Sequence, residues 1–378
     1  MTALIVITEV VAMGGYARRS VSSQGPGSLR GPHGARGAFG RRAFLAAAGL
    51  GAAGLGSAGL TGCGRADAAG SITTATYIPA SYDDLYPGVQ TFMDTLATAS
   101  GGRLTCDMYD AGTLLGAEQL LPGLLLGVAD VMFQTSSYVS SSFPILGAME
   151  LPFGAEDYAK QRRAIDPAGP LFTLVNEQLA AQGVRLLGGM PCTFEYIWTI
   201  GRPILRPEDV RGLRIRVAGE IEGETVKALG GAPVFMGSSE VFEALERGTI
   251  DGLMSYLGTV VSRDLQEIVR YGTRAHFGAY TVDAYCRSDW YAGQPPELRA
   301  ALDEAGRALY RDGTEVMVGV HEGDYLAQVL EGGVELVEPS GAELEAFRTA
   351  VEPVYGRWEH LIGDASIADR AVGLINEA

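Results

Sequence analysis

Hydrophobic and polar positions alternate along this chain with two periods. Residues 71–78 read SITTATYI, a short strand. A helical stretch follows, with Phe92, Met93, Leu96 and Ala97 on one side, and then a turn and a second strand in GGRLTCDMYDAG. The segment AEQLLPGLLLGVADVMFQTS reads as a helix, a break at Gly127, and a third strand, ADVMFQT. The same order recurs further on. LPFGAEDY (151–158) is a turn entering the helix that carries Leu171, Leu174, Val175 and Leu179, and GVRLLGG is a strand. Strand LRIRV (213–217) leads to helix EGETVKAL, then strand PVFM. Ser238 and Ser239 are placed to cap the helix EVFEALERG, and TIDGLMSY closes the unit. TVDAYCRSDW is a further strand-like segment. From Pro296 onward the pattern is helical, ending in GAELEAFRTAVEPVYGRWEHLI.

Two α/β units joined by crossing segments, with a helical tail, predict an α/β fold of two lobes with a ligand cleft between them. A mainly parallel sheet is expected in each unit, with ligands beyond the carboxyl ends of the strands. In the first unit those ends are Pro79 to Tyr82 and Thr135 to Tyr138. The expected division is 1–62 as a signal region, 63–193 with 281–320 as lobe I, and 194–280 with 321–378 as lobe II and its tail.

One strand carries an oddity. Alternation puts Leu213, Ile215 and Val217 on one face and Arg214 and Arg216 on the other. Solvent on that face is one explanation; an arginine aimed into a cleft to grip an anion is another. Arg216 stands at the end of its strand, just before Ala218 and Gly219, where a cleft opens. A planar guanidinium offers a carboxylate two parallel hydrogen bonds, which a lysine cannot. Arg214 is further from the strand end and reads as solvated or salt-bridged.

The chain has 378 residues, 47% of them hydrophobic, which allows two domains. Its formal net charge is −16. Residues 1–62 hold six arginines against Glu9 alone, so the remainder stands at −21. Such a domain is a poor candidate for nucleic acid or an anionic membrane surface. The N-terminal segment RRAFLAAAGLGAAGLGSAGLTGC joins two arginines, a weakly apolar run and a Leu-Thr-Gly-Cys ending. It resembles a twin-arginine export signal fused to a lipobox. Export with lipid attached to Cys63, anchoring the protein to the outer face of the cytoplasmic membrane, is therefore expected. Cys106, Cys192 and Cys286 show no metal spacing and read as buried free thiols. No cofactor or metal is implied. His276, His321 and His360 are widely spaced, and no catalytic motif appears.

The stretch RPEDVRGLRIRVAG…VKALGGAPVFMGSSEVFEALERGTIDG resembles the signature region of TRAP transporter solute-binding proteins of the DctP type. GGRLTCDMYDAGTLLGAEQLLPGLLLGVADVMF and ELPFG are similar to further parts of that family, and the likeness covers roughly 72–360. The resemblance implies a receptor that closes on a small carboxylate, holds it through the arginine matching Arg216, and delivers it to a small and a large membrane subunit, with sodium as coupling ion. A lipoprotein sensor for a signalling partner, or an exported enzyme, is the competing reading.

Two departures concern the pocket. Ser255 stands where many members carry Asn, and Tyr196 where some sugar-acid binders carry a second arginine. Phe194, Tyr196 and Trp198 alternate, and form either core or an aromatic wall. These changes favour a small monocarboxylate with an apolar body. Tyr256, Ser136 and Tyr138 lie at predicted strand ends as candidate contacts, and Glu150 is a candidate partner for a ligand amine or for Arg216.

Overall fold

The computed structural model describes residues 70–378, Glu156 excepted; the twin arginines and Cys63 lie outside the described residues. Among these residues the strands form two sheets. The first holds β1 (Gly70–Thr76), β2 (Leu104–Tyr109), β3 (Val131–Thr135), β4 (Val184–Pro191) and β10 (Thr281–Arg287), in the order β2-β1-β3-β10-β4. The second holds β5 (Tyr196–Thr199), β6 (Arg214–Val217), β7 (Ala232–Phe235), β8 (Gly252–Ser255), β9 (Tyr271–Thr273) and β11 (Glu335–Val337), in the order β11-β9-β5-β8-β6-β7.

The parallel pairs fall where the α/β alternation puts them: β1 with β2 and β3, and β6 with β7 and β8. β10 and β5 run antiparallel to their neighbours. The reason is their origin. β5 follows the crossing at 192–195, and β10 the crossing at 274–280. A strand arriving from the other lobe enters through the cleft edge. It must then run against strands whose carboxyl ends point at that edge. Accordingly Tyr196 at the start of β5 pairs with Ser255 at the end of β8, and Val282 near the start of β10 pairs with Thr135 at the end of β3.

A third crossing is helical. Helix Pro296–Val320 packs on helix Tyr86–Ala99 and β4. A π turn, His321–Tyr325, connects it to helix Leu326–Glu331, which packs on helix Leu257–Ser262. The segment expected to lead directly into the Leu171 helix is two helices, Tyr158–Ala164 and Pro170–Ala180.

Each lobe has its own core. Val89, Phe92 and Leu96 meet Val131, Phe133, Leu302 and Leu309, with the rings of Phe92 and Phe133 edge-on at 5.1 Å. Trp198, Val241, Leu245, Leu253, Val260 and Leu265 fill the second. Burial of each such side chain contributes about 1.5–3 kcal/mol. The tail helix Gly341–Ile362 begins with Ser340 and Glu343 exchanging hydrogen bonds, each side chain accepting from the other's backbone N–H. It packs on helix Glu220–Ala228, and the last helix, Ala365–Glu377, packs on the helices at 158–164 and 170–180. Both close over a core that includes Ile215, Val217, Ile221 and Phe277.

Candidate ligand-binding site

The two arginines of β6 have different fates. Ile215 and Val217 are fully buried on one face. Arg214, at the exposed start of the strand, donates from Nε and Nη2 to the two carboxylate oxygens of Asp251, at 3.0 and 2.8 Å. Arg216, one turn of the pleat further on, is only 2% exposed. Its Nε and Nη2 donate to the carbonyl oxygen of Met236 at 3.1 and 3.0 Å, and Nη2 also donates to the Tyr138 hydroxyl at 3.1 Å. Met236 follows β7. Tyr138 sits in the helical turn Ser136–Val139 that ends β3, so this bond crosses from one lobe to the other. No carboxylate comes within ion-pair distance of Arg216 among the described residues, and Nη1 makes no hydrogen bond.

Tyr138 is itself instructive. Its oxygen accepts from Arg216 and from the backbone N–H of Ser238, at 2.9 Å. With both lone pairs engaged, the hydroxyl proton remains to be donated. Ser238 does not cap a helix by its side chain as the sequence suggests. Its hydroxyl instead accepts from Nη2 of Arg263 at 3.0 Å.

Arg263, which sequence reading passed over, follows helix Leu257–Ser262 directly after β8. Its Nη1 donates to the Ser262 hydroxyl at 2.7 Å, and its guanidinium lies 4.3 Å from the centre of the Tyr82 ring, across the lobe boundary. Its Nε is buried without a partner. Burial works against its charge, but the oxygens of Tyr82, Tyr256, Tyr77 and Tyr280 outweigh it, and the pKa rises. A Ser-Arg-Asp run after a strand looks like a solvent loop; only the one-turn helix folds it back to the cleft.

The other candidates surround this pair. Tyr77 stacks edge-on with Tyr138 at 5.4 Å, and Tyr256 with Tyr280 at 5.4 Å. The Ser255 hydroxyl donates to Thr259 at 2.8 Å and meets the Tyr280 hydroxyl at 3.3 Å. Tyr256 is fully buried and donates to Asp84 at 2.6 Å, which His321 also approaches, at 3.4 Å. The Ser136 hydroxyl accepts from the backbone N–H of Thr281. The aromatic trio forms a run into and along β5: the Tyr196 and Trp198 rings lie 5.7 Å apart, and Tyr196 also packs against the small cluster of Phe194. Trp198 is in the second-lobe core, donating to the carbonyl of Ser255 at 2.9 Å. Phe194 stacks on His276 at 3.7 Å, and Tyr196 is partly exposed beside Arg274.

Glu150 belongs to a different cluster. It, Glu195 and Glu222 are all fully buried, and come from three segments. Glu150 accepts from Ser140 at 3.3 Å and Glu222 from the backbone N–H of Ala218 at 2.6 Å, while both oxygens of Glu195 lack partners. Burial pushes all three carboxyl groups up; Glu222 adds to the rise at Glu150, and Glu222 and Glu150 add to it at Glu195, while Arg216 opposes it in part at Glu195 and Glu222. At the same boundary Gly219 touches Ser137 so closely that a Cβ there would lie 2.7 Å from the Ser137 carbonyl oxygen. A separate apolar cavity lined by Ile145, Leu171, Phe172 and Leu186 lies within the first lobe and offers no cation.

Two lobes, each a sheet with its strand ends at a shared cleft, and a buried arginine bonded across that cleft, define a solute receptor. The chain belongs to the bacterial extracellular solute-binding protein family 7, DctP, whose family model matches residues 76–361. The family consists of extracytoplasmic receptors rather than enzymes. The chain is 23% identical over 292 residues to the C4-dicarboxylate-binding periplasmic protein DctP of Rhodobacter capsulatus, covering 74% of this chain and 84% of that protein. Its fold matches the TRAP periplasmic solute-binding protein of Roseobacter denitrificans solved with β-D-glucuronate. The TM-score is 0.74 at 21% identity, over 81% of this chain and 99% of that one. A Shewanella oneidensis relative solved with succinate matches with a TM-score of 0.73 at 20% identity, over 81% and 99%. Among the described residues no helix is long and apolar enough to cross a membrane.

Proposed function

We propose that this protein captures a small organic acid through an Arg216–carboxylate contact and delivers it to the small and large membrane subunits of a TRAP-type transporter. The observation that carries this reading is Arg216 itself, a guanidinium held at the lobe boundary with no carboxylate within ion-pair distance among the described residues. A buried cation without an anion is costly, and arginine does not escape by losing its proton. A ligand carboxylate supplies the missing charge, received by Nη1 of Arg216 and the free proton of Tyr138. Ser136, Ser255 and Tyr256 frame the strand ends around it. Tyr196 and Trp198 act from the β5 side, Trp198 by holding the end of β8.

The lobes, taken as 63–193 with 281–320 and 194–280 with 321–378, close by bending at the three crossings. Relatives solved with glucuronate and succinate support the ligand class. Export by the twin-arginine route and lipidation at Cys63 hold the receptor at the outer face of the cytoplasmic membrane.

The test is the unfolding temperature of the purified protein against a panel of organic acids, neutral sugars and amino acids. A ligand bound only by the native state stabilises it by about 2.7 kcal/mol at a hundred times Kd. Shifts with carboxylates that vanish in Arg216→Ala support the reading. Shifts with neutral sugars alone discard the carboxylate clamp.

A further inference from the structure

We propose that Arg263 is a second anion subsite of the same cleft, so that the ligand carries a second acidic group besides the carboxylate assigned to Arg216. This rests on the receptor reading above and specifies its ligand.

Arg263 shares the features that single out Arg216. It is partly buried at the lobe boundary, with its Nε fully enclosed, and no carboxylate lies within ion-pair distance among the described residues. Its hydrogen-bond acceptors, Ser238 and Ser262, are neutral hydroxyls, and Nε has none. One of its faces is covered by the Tyr82 ring, which attracts the cation but carries no formal charge. Asp84 is engaged by Tyr256 and His321 instead.

The two guanidiniums are also linked. Arg216 donates to the Tyr138 hydroxyl, which accepts from the Ser238 N–H, and the Ser238 hydroxyl accepts from Arg263. Three hydrogen-bond steps therefore separate the cations, a span that one small molecule with an acid at each end can bridge. The sequence suggests that the pocket has lost a cation, because Tyr196 stands where some relatives carry arginine. Arg263 restores the count from another element, and the preference for a monocarboxylate gives way to a diacid.

A role for Arg263 as a latch is the rival explanation: stacking on Tyr82 would simply hold the lobes shut. The two roles differ in what they discriminate. A subsite favours the second acid group; a latch strengthens every ligand alike.

The experiment titrates the purified full chain by calorimetry near pH 7.5 with matched pairs: succinate and butyrate, glutarate and pentanoate, adipate and hexanoate. In at least one pair the diacid is expected to bind at least about 30-fold tighter. Arg263→Gln should remove most of that difference while leaving the monoacid Kd within about threefold. Arg263→Lys, which keeps the charge but not the fork, should retain part of it and serves as the second variant should the Gln protein not fold. Equal affinity within all three pairs would overturn the second subsite and leave the receptor reading intact. Equal weakening of both members by Arg263→Gln would assign the residue to the latch and also overturn the proposal. Loss of all binding to Arg216→Ala, with the wild-type preference present, supports both readings. Wild-type protein that binds neither member of any pair overturns the second subsite; if it also shows no shift with any carboxylate in the wider panel, the receptor reading falls too.

Discussion

Two polar clusters, one partly and one fully buried, meet at the lobe boundary, and they are built from opposite charges. One gathers Arg216 and Arg263 among the oxygens of Tyr77, Tyr82, Tyr138 and Ser238. The other gathers Glu150, Glu195 and Glu222, with Asp283 adding to the field at Glu150. Arg216 opposes the rise at Glu195 and Glu222 only in part, so neither cluster neutralises the other. Their unmet needs differ in kind. A buried carboxyl group escapes its desolvation cost by taking a proton, which is why burial pushes Glu150, Glu195 and Glu222 up. A guanidinium has no such escape in the accessible pH range. The acidic cluster can therefore stay neutral without a ligand, while the cationic one keeps its charge, which the proposed function meets with an anion from outside. The cluster with the irreducible charge is the binding site proposed here.

The comparison is most severely tested at Arg216. Replacement by Ala should weaken ligand binding by about 2–5 kcal/mol, read by calorimetry, because the ligand's carboxylate loses its buried partner. Next in size is Gly219→Ala. The added Cβ meets backbone of Ser137 across the lobe boundary, so closure should be opposed by about 1–3 kcal/mol of strain. Ligand affinity should fall with the chemistry of the pocket untouched; an unchanged Kd would show that the lobes close elsewhere.

The acidic side predicts a pH dependence. Asp283 is pushed up from 3.8 to about 7 by burial, against the opposing hydrogen bonds of Tyr285 and Thr281. A raised carboxyl pKa means that the native state holds a proton the unfolded chain has released. Its contribution is thus fully present below about pH 4 and is lost as pH rises toward 7, with a slope of at most about 1.4 kcal/mol per pH unit. Asp283→Asn should flatten that part of the stability curve; denaturant titrations at pH 4.5, 6 and 7.5 would read it, and an unchanged slope would remove Asp283 from the account. The smallest effect belongs to Arg214. Its pair with Asp251 is solvent-exposed, so Arg214→Ala should leave the unfolding midpoint and the ligand affinity nearly unchanged.

The strands with apolar runs, the α/β order and the two-lobe architecture were legible because each rests on local periodicity. Parity puts Arg214 and Arg216 on one face of a four-residue strand; what separated them was position, since only Arg216 stands near the strand's carboxyl end. The antiparallel entry of β5 and β10 was not legible, because strand direction depends on which lobe the chain has just left. Arg263 escaped notice because nothing local distinguishes it from a solvated loop arginine; its place is set by Tyr82, some 180 residues earlier in the chain. Ser238 looked like a helix cap because serine before a helix usually is one, yet Arg263 claims its hydroxyl. Glu150 was visible as a candidate, but Glu195 and Glu222, which determine its environment, join it only through packing of the two lobes.

The central claim is that Arg216 binds the carboxylate of the ligand. Its most direct test is calorimetric titration of wild type and Arg216→Ala with whichever acid most raises the unfolding temperature of the wild type. Both proteins should first be shown to unfold at similar temperatures without ligand. The account predicts at least about 30-fold weaker binding by the variant. Equal affinity of the two proteins for that acid would contradict it.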